Sequence, residues 1–308
     1  MILDAAAVAL GLTILVFAGD ALVKGAVNLA LRLGIPALVV SLTVVAFGTS
    51  APELLVSVQA VLGGVPGLAL GNVVGSNTAN VLLVLGVPAL FAVLGTGAVD
   101  TRRDFLYMAA VSLVFVALCL SGALVWWNGL VLLGMLAAVL TATFLASREP
   151  PAELEGADDG LPGWRIGLYL VLGLVGLPLG ADLLVDGASS IARAFGVTET
   201  VIGLTLVAIG TSLPELATTL MAALRRHAAV AIGNVIGSNL FNLAAIMGIA
   251  VLVGPVPVEA TFLRQDLWIM LAATAALGVL VFTRRDVTRL WGVAFAGLYA
   301  GYLVLVLA

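Results

Sequence analysis

Two separate motifs recur in this chain at one constant spacing, and that repetition constrains the fold more than any other feature. The segment TVVAFGTSAPEL, from Thr43 to Leu54, returns as TLVAIGTSLPEL from Thr205 to Leu216, nine of twelve positions being identical at an offset of 162. GNVVGSNTAN, from Gly71 to Asn80, returns as GNVIGSNLFN from Gly233 to Asn242 at the same offset, with seven of ten identical. Chance similarity does not preserve the distance between two unrelated motifs. Each half, of about 150 residues, therefore reads as one copy of a duplicated unit.

Each copy sets a glutamate beside a proline inside a strongly apolar stretch, and composition explains where such a stretch belongs. Hydrophobic residues make up 62% of the chain and charged residues 10%, with a mean hydropathy of +1.23. Water-soluble domains carry about 25% charged residues, so this chain needs lipid around it. The net charge of -4 lies partly in one acidic loop. With no basic stripe and no aromatic platform, nucleic acid is not an expected partner. The first apolar segment, Ile2 to Val23, lacks a basic leader region and reads as a retained span. Cys119 is the only cysteine, which excludes an internal disulfide and a thiolate metal cluster and leaves a packing role.

A bilayer crossing takes about 20 helical residues. The breaks between charged or Pro/Gly-rich stretches give spans near 3–23, 36–61, 70–93, 104–121 and 126–146, then 165–190, 198–222, 229–253, 266–282 and 290–307. The expected fold is an all-α polytopic membrane protein of ten transmembrane helices. Five helices per copy is an odd number, so the second copy enters from the opposite face and the two five-helix repeats are inverted. The expected divisions are a first repeat over 1–146, a cytoplasmic linker over 147–163 and a second repeat over 164–308. With both termini outside, eleven basic residues fall on the inner side and only Arg193 and Arg264 on the outer. Lys24 and Arg32 are candidates for the ends of long helices. The linker's five acidic residues and three prolines lack the spacing of a calcium-binding loop and read as solvated chain.

Thr49, Ser50 and Glu53 lie within one helical turn of one another, as do Thr211, Ser212 and Glu215, so each copy can present its oxygens on one face. Pro52 and Pro214 remove a backbone donor, which frees the carbonyls of Gly48 and Gly210, and the glycines ease local unwinding. Ser76 and Asn80 share a helix face, and so do Ser238 and Asn242. Asn77 and Asn239 sit at a neighbouring angle and suit helix-to-helix bonding. Gly71, Gly75, Gly233 and Gly237 permit close helix approach. A carboxylate at the bilayer centre costs several kcal/mol unpaired, at about 2.5 kcal/mol or more. Since no lysine or arginine lies within the motifs, the expected partner of Glu53 and Glu215 is a mobile cation or a proton. Oxygen ligands with about two negative charges suit Ca2+, with Na+ as competitor, whereas the absence of thiolate and imidazole argues against softer metals.

Blander readings stand beside this one. The glutamates could form a structural polar pair, but the repeated hydroxyls, prolines and glycines would then be unexplained. A catalytic acid pair has no nucleophile beside it, so no enzyme and no cofactor are expected. GNVVGSN lacks the ending of a phosphate-binding loop. His227, in the RRH segment, reads as a surface residue. Asp20 and Asp182 suit either stabilisation of long helices or an ion path, and Asp104 and Asp266 suit helix N-termini.

The paired AFGTSAPE and AIGTSLPE motifs, followed by GNVVGSNTAN and GNVIGSNLFN, resemble the α-repeats of the sodium/calcium exchanger family, prokaryotic type, within the cation/calcium antiporter superfamily. The resemblance covers both halves. It implies inverted five-helix repeats, exchange of Ca2+ for Na+ across the inner (plasma) membrane, and sliding of each repeat's first helix during alternating access. It also implies that Glu53 and Glu215 are the central carboxylates, with Thr49, Ser50, Thr211 and Ser212 as neighbouring ligands. The carbonyls of Ala46 and Ala208 contribute, and Ser76, Asn80, Ser238 and Asn242 complete the set. Asn242 departs from the aspartate of the archaeal type and removes a potential charge. The alternatives are a Ca2+/H+ antiporter and, further off, a cation channel.

Overall fold

The computed structural model describes residues 1–95, 100–146, 161–197 and 208–307, and these are predominantly helical. In chain order the helices are α1 (Ile2–Leu33), α2 (Ala37–Thr49), α3 (Ala51–Leu62), α4 (Pro66–Phe91), α5 (Arg102–Cys119) and α6 (Trp126–Ala146). They continue with α7 (Gly163–Ala194), α8 (Ala208–Thr211), α9 (Leu213–Leu224), α10 (Ala228–Val253), α11 (Phe262–Thr283) and α12 (Arg289–Leu307). Among the described residues seven helices are long and apolar enough to cross a membrane, or eight if the bent pair α2 and α3 forms one span. Helix α5 has a spanning length but carries Arg102, Arg103 and Asp104 in its first turn.

The two longest helices run well past their expected bounds. The spans anticipated at 3–23 and 165–190 become α1 and α7, each of 32 residues. At 1.5 Å per residue each is about 48 Å long, well beyond the roughly 30 Å hydrocarbon core. Lys24 and Arg32 accordingly ride on α1 itself. Gly163 begins α7 rather than closing the linker, and residues 147–160 of that linker lie outside the described residues. So do residues 198–207, which form the start of the span anticipated at 198–222.

Helices α1 and α7 pack antiparallel along their length. Asp4 lies beside Gly187, Gly11 beside Gly180, Leu22 beside Gly173 and Arg32 beside Gly163. A methyl group on Gly11 would come within 2.7 Å of the Gly180 carbonyl, and one on Gly173 within 2.5 Å of Leu22 Cβ. Glycine is required there because the backbones nearly touch. Asp20 on α1 pairs with Arg225 at the end of α9 and, at 3.0 Å, with Lys24. A structural role for Asp20 follows, while Asp182 is exposed.

The interior belongs to the two helices that carry the GNV motifs. In α4 and α10, 78% and 89% of the most apolar window is buried, against 22% in α1, α6 and α7. Polar side chains on α4 and α10 can therefore meet protein rather than lipid. Short backbone pairings tie the halves together: Leu94 with Val287, and β1 (Ala123–Leu124) antiparallel to β2 (Val256–Pro257). Cys119 is fully buried packing.

Two expectations for isolated polar residues need correction. Asp266 does not cap a helix, because a wide π turn over Phe262–Asp266 runs straight into the rest of α11. Asp104 makes no capping bond but does sit in the first turn of α5. His227 is buried rather than superficial, at the N-cap position of α10, where its carbonyl accepts from the Val230 and Ala231 amides.

Candidate cation site

The helix breaks fall at the serines. Ser50 (φ −86°, ψ 8°) separates α2 from α3 with a 44° bend, and Ser212 (φ −88°, ψ 2°) separates α8 from α9. Pro52 and Pro214 then occupy the first turn of the new helix, where a missing N–H costs nothing. The expected unwinding at Gly48 and Gly210 is not what these residues provide. Each lies in a helical turn and admits a side chain of α7: a methyl at Gly48 would come within 2.0 Å of Leu174, and one at Gly210 within 2.5 Å of Val185.

The breaks put Glu53 and Glu215 in the first turns of α3 and α9, where the helix dipole favours negative charge. Both are 1% exposed. Ser50, three residues before Glu53, reaches the Glu215 carboxylate, so the two acids share one buried region. Among the described residues no salt bridge reaches either one.

What surrounds them is hydroxyl, amide and carbonyl. Ser50, from the first half, donates to Glu215 Oε1 at 3.0 Å, and Ser238 donates to the same oxygen at 3.5 Å. The Thr49 hydroxyl lies 3.3 Å from the Ala46 carbonyl and 3.3 Å from Asn234 Oδ1, and also stands near the Glu215 carboxylate. Asn77 Nδ2 donates to the Asn239 carbonyl at 3.2 Å, the helix-to-helix bond its position suggested. Asn80 Nδ2 donates to Asn239 Oδ1 at 3.1 Å, which leaves Asn80 Oδ1 without a partner. Within the repeated motifs the other buried polar atoms lacking a hydrogen bond are Glu53 Oε2, Asn77 Oδ1, Ser212 Oγ, Glu215 Oε2, Asn239 Nδ2 and both amide atoms of Asn242. Ser76 is buried on α4, Thr211 ends α8, and Ala208 begins the described part of that turn.

Unpartnered oxygens at this density are unusual in a protein interior, where buried polar groups are normally hydrogen-bonded. Ser50 of the first half and Ser238 of the second meet at the Glu215 carboxylate. Gly233 and Gly237 allow this: a methyl at Gly237 would sit 2.6 Å from Ala46 Cβ and 2.6 Å from the Leu42 carbonyl, so α10 and α2 are in backbone contact. A methyl at Gly233 would likewise sit 3.0 Å from the Leu38 carbonyl, and the counterparts of Leu38 and Leu42 beside Gly71 and Gly75, positions 200 and 204, lie outside the described residues.

Sequence reasoning passed over Asn72 and Asn234. Asn72 Nδ2 donates to the Glu53 carbonyl at 3.2 Å and to Ser57 Oγ at 3.0 Å. Asn234 Nδ2 donates to the Glu215 carbonyl at 3.2 Å and to Thr219 Oγ1 at 3.0 Å. All three positions repeat at the offset of 162. The signal was present, since Asn72, Ser76 and Asn80 follow one another at four-residue steps on one helix face.

A polytopic helical protein that buries two acidic groups among hydroxyl, amide and carbonyl oxygens can hold a cation within the membrane. The family described as sodium/calcium exchanger protein matches residues 3–145 and 166–308. The sodium/calcium exchanger MaX1 of Methanosarcina acetivorans is 32% identical over 335 residues, covering 96% of each chain. Inner membrane protein YrbG of Escherichia coli (strain K12) is 34% identical, covering 92% of this chain and 90% of its own. The sodium-calcium exchanger NCX_Mj, soaked with zero Na+ and Ca2+, superposes with a TM-score of 0.86 at 30% identity over 99% of each chain. The chain belongs to the sodium/calcium exchanger family, and it is a multi-pass membrane antiporter.

Proposed function

We propose that this protein exchanges Ca2+ for Na+ by alternating access at one site formed by Ala46, Thr49, Ser50, Glu53, Ser76 and Asn80 with their counterparts Ala208, Thr211, Ser212, Glu215, Ser238 and Asn242. The observation that carries this reading is the pair of buried carboxylates, one from each half, with no cationic partner among the described residues and with unpartnered oxygens around them. The names of MaX1 and NCX_Mj, both sodium/calcium exchangers, support the choice of ions.

The architecture proposed is ten spans in two inverted repeats, 1–146 and 164–308, joined by a cytoplasmic linker. Separate family matches over 3–145 and 166–308 support two copies. Support for inversion comes from α1 and α7, which correspond at the offset of 162 yet pack antiparallel. Leu94 and its counterpart Val256 each make a backbone bridge to a strand partner, Val287 and Leu124 respectively. Adding α5 and the broken pair α8 and α9 to the eight apolar spans gives ten. The excess of basic residues on one side supports both termini outside, in the plasma membrane.

Two carboxylates neutralise one Ca2+, whereas three Na+ leave about one excess positive charge. Moving that charge through 100 mV changes the free energy by about 2.3 kcal/mol, so a three-for-one exchange is electrogenic. The empty site stays put because two bare carboxylates resist transit through a low-dielectric layer. Proteoliposomes test the reading directly. An imposed Na+ gradient at clamped pH is expected to drive Ca2+ uptake, accelerated by a membrane potential of the appropriate sign. Uptake that follows a pH gradient in Na+-free medium identifies Ca2+/H+ antiport instead, and Ca2+ current without countertransport identifies a channel.

A further inference from the structure

The Thr49 hydroxyl has one proton and two acceptors at 3.3 Å, the Ala46 carbonyl and Asn234 Oδ1. In the proposed exchange cycle one of those two, the Ala46 carbonyl, is a ligand of the cation. A ligand oxygen turns its lone pairs toward the ion, and a proton lying between them is repelled by the same charge. Only Asn234 Oδ1 remains to take the proton.

We propose that Asn234 is a positioning residue: it holds the Thr49 proton away from the cation, so that the Thr49 hydroxyl oxygen is free to coordinate and the Ala46 carbonyl, which accepts the Ser50 amide at 3.1 Å, keeps its remaining lone pair for the ion. The inference rests on the exchange reading and its ligand set. Asn234 is suited to the task because its orientation is fixed. Its NH2 group donates to the Glu215 carbonyl at 3.2 Å and to Thr219 Oγ1 at 3.0 Å, which leaves Oδ1 facing Thr49 at 3.3 Å. Asn234 and Thr219 are both fully buried, so water does not compete for these bonds. Asn72 makes the same two donations within the first half, to the Glu53 carbonyl and Ser57. Asn234 thus links a ligand of one half, Thr49, to the backbone of the carboxylate in the other.

Removing the acceptor sends the Thr49 proton to the Ala46 carbonyl and weakens two ligands together. In Na+-driven uptake of radiolabelled Ca2+ by the purified full chain, Asn234→Leu is expected to raise the KM for Ca2+ about tenfold, with kcat within about twofold. Thr49→Val is expected to do the same. The double variant should be no worse than the worse single variant, because Asn234 acts through Thr49. Multiplied effects, about a hundredfold in the double variant, overturn the proposal and mark Asn234 as an independent helix clamp. An unchanged KM in Asn234→Leu overturns it as well.

Thr219→Val supplies a second arm that keeps Asn234 itself. It loosens the amide and is expected to raise KM about threefold, an increase absent in the Thr49→Val background; equal increases in both backgrounds overturn the proposal, and this arm decides if Asn234→Leu protein does not fold. Wild-type protein without Na+-driven uptake counts against the exchange reading alone. The same cycle is then read calorimetrically as Kd for Ca2+, and wild-type protein that binds no Ca2+ overturns both.

Discussion

Glu53→Gln and Glu215→Gln are each expected to cut Na+-driven Ca2+ uptake by about two to three orders of magnitude, the loss that follows when one partner of a buried charge pair is removed at about 3–5 kcal/mol. Both carboxylates are 1% exposed and lack a basic partner among the described residues, so the transported ion is the only counter-charge in reach. Glutamine keeps the shape and one oxygen but halves the site's negative charge. Stability should respond in the opposite sense to transport. Without Ca2+, the variants no longer bury one of two uncompensated carboxylates and should melt no lower than wild type. Adding Ca2+ should raise the wild-type melting temperature and leave the variants nearly unmoved, since only a bound ligand stabilises the native state. Wild-type flux in both variants, or an equal Ca2+-induced shift in all three proteins, removes these residues from the ion pathway.

The duplication made most of the polar centre legible before any coordinates. Glu53 and Glu215, their flanking hydroxyls and the two GNV helices recur at one offset, and the structure brings Ser50 from the first half and Ser238 from the second onto the Glu215 carboxylate. What escaped was backbone and tertiary chemistry. The proline argument anticipated broken helices at these motifs, and the breaks fall at Ser50 and Ser212, with Pro52 and Pro214 opening the new helices; the contact of Gly48 and Gly210 with α7 had no signal in the pattern. Asn72 and Asn234 were missed because their acceptors are the carbonyls of Glu53 and Glu215, which no side-chain pattern displays. The Asp20–Arg225 pair spans 205 positions and has no signature in sequence. His227, flanked by two arginines, looked superficial because local polarity says nothing about what the next helix covers.

Backbone contact between α2 and α10 makes Gly237 the position outside the ligand set where a substitution should do most damage. The nearest atoms to an added Cβ are Ala46 Cβ at 2.6 Å, the Leu42 carbonyl at 2.6 Å and Leu42 Cα at 2.9 Å, and backbone cannot step aside as a flexible side chain can. Gly237→Leu must therefore push α2 away from α10, at a cost of about 1–3 kcal/mol in stability. The same displacement moves Ala46 and Thr49 relative to Ser238 and Asn242. Ca2+ ligands lie within about 2.3–2.6 Å of the ion, so a shift of about 1 Å takes two of them out of reach. Uptake at fixed Ca2+ is expected to fall about a hundredfold, with a clear rise in KM. Gly134→Leu is the matched control, because Gly134 is exposed on α6 and an added Cβ meets nothing within 4 Å among the described residues. It should leave KM unchanged and melting within about 0.5 kcal/mol of wild type. If Gly237→Leu behaves like Gly134→Leu, then α2 and α10 are not held in the contact described, and the close approach that brings Ala46 and Thr49 up to Ser238 and Asn242 is wrong.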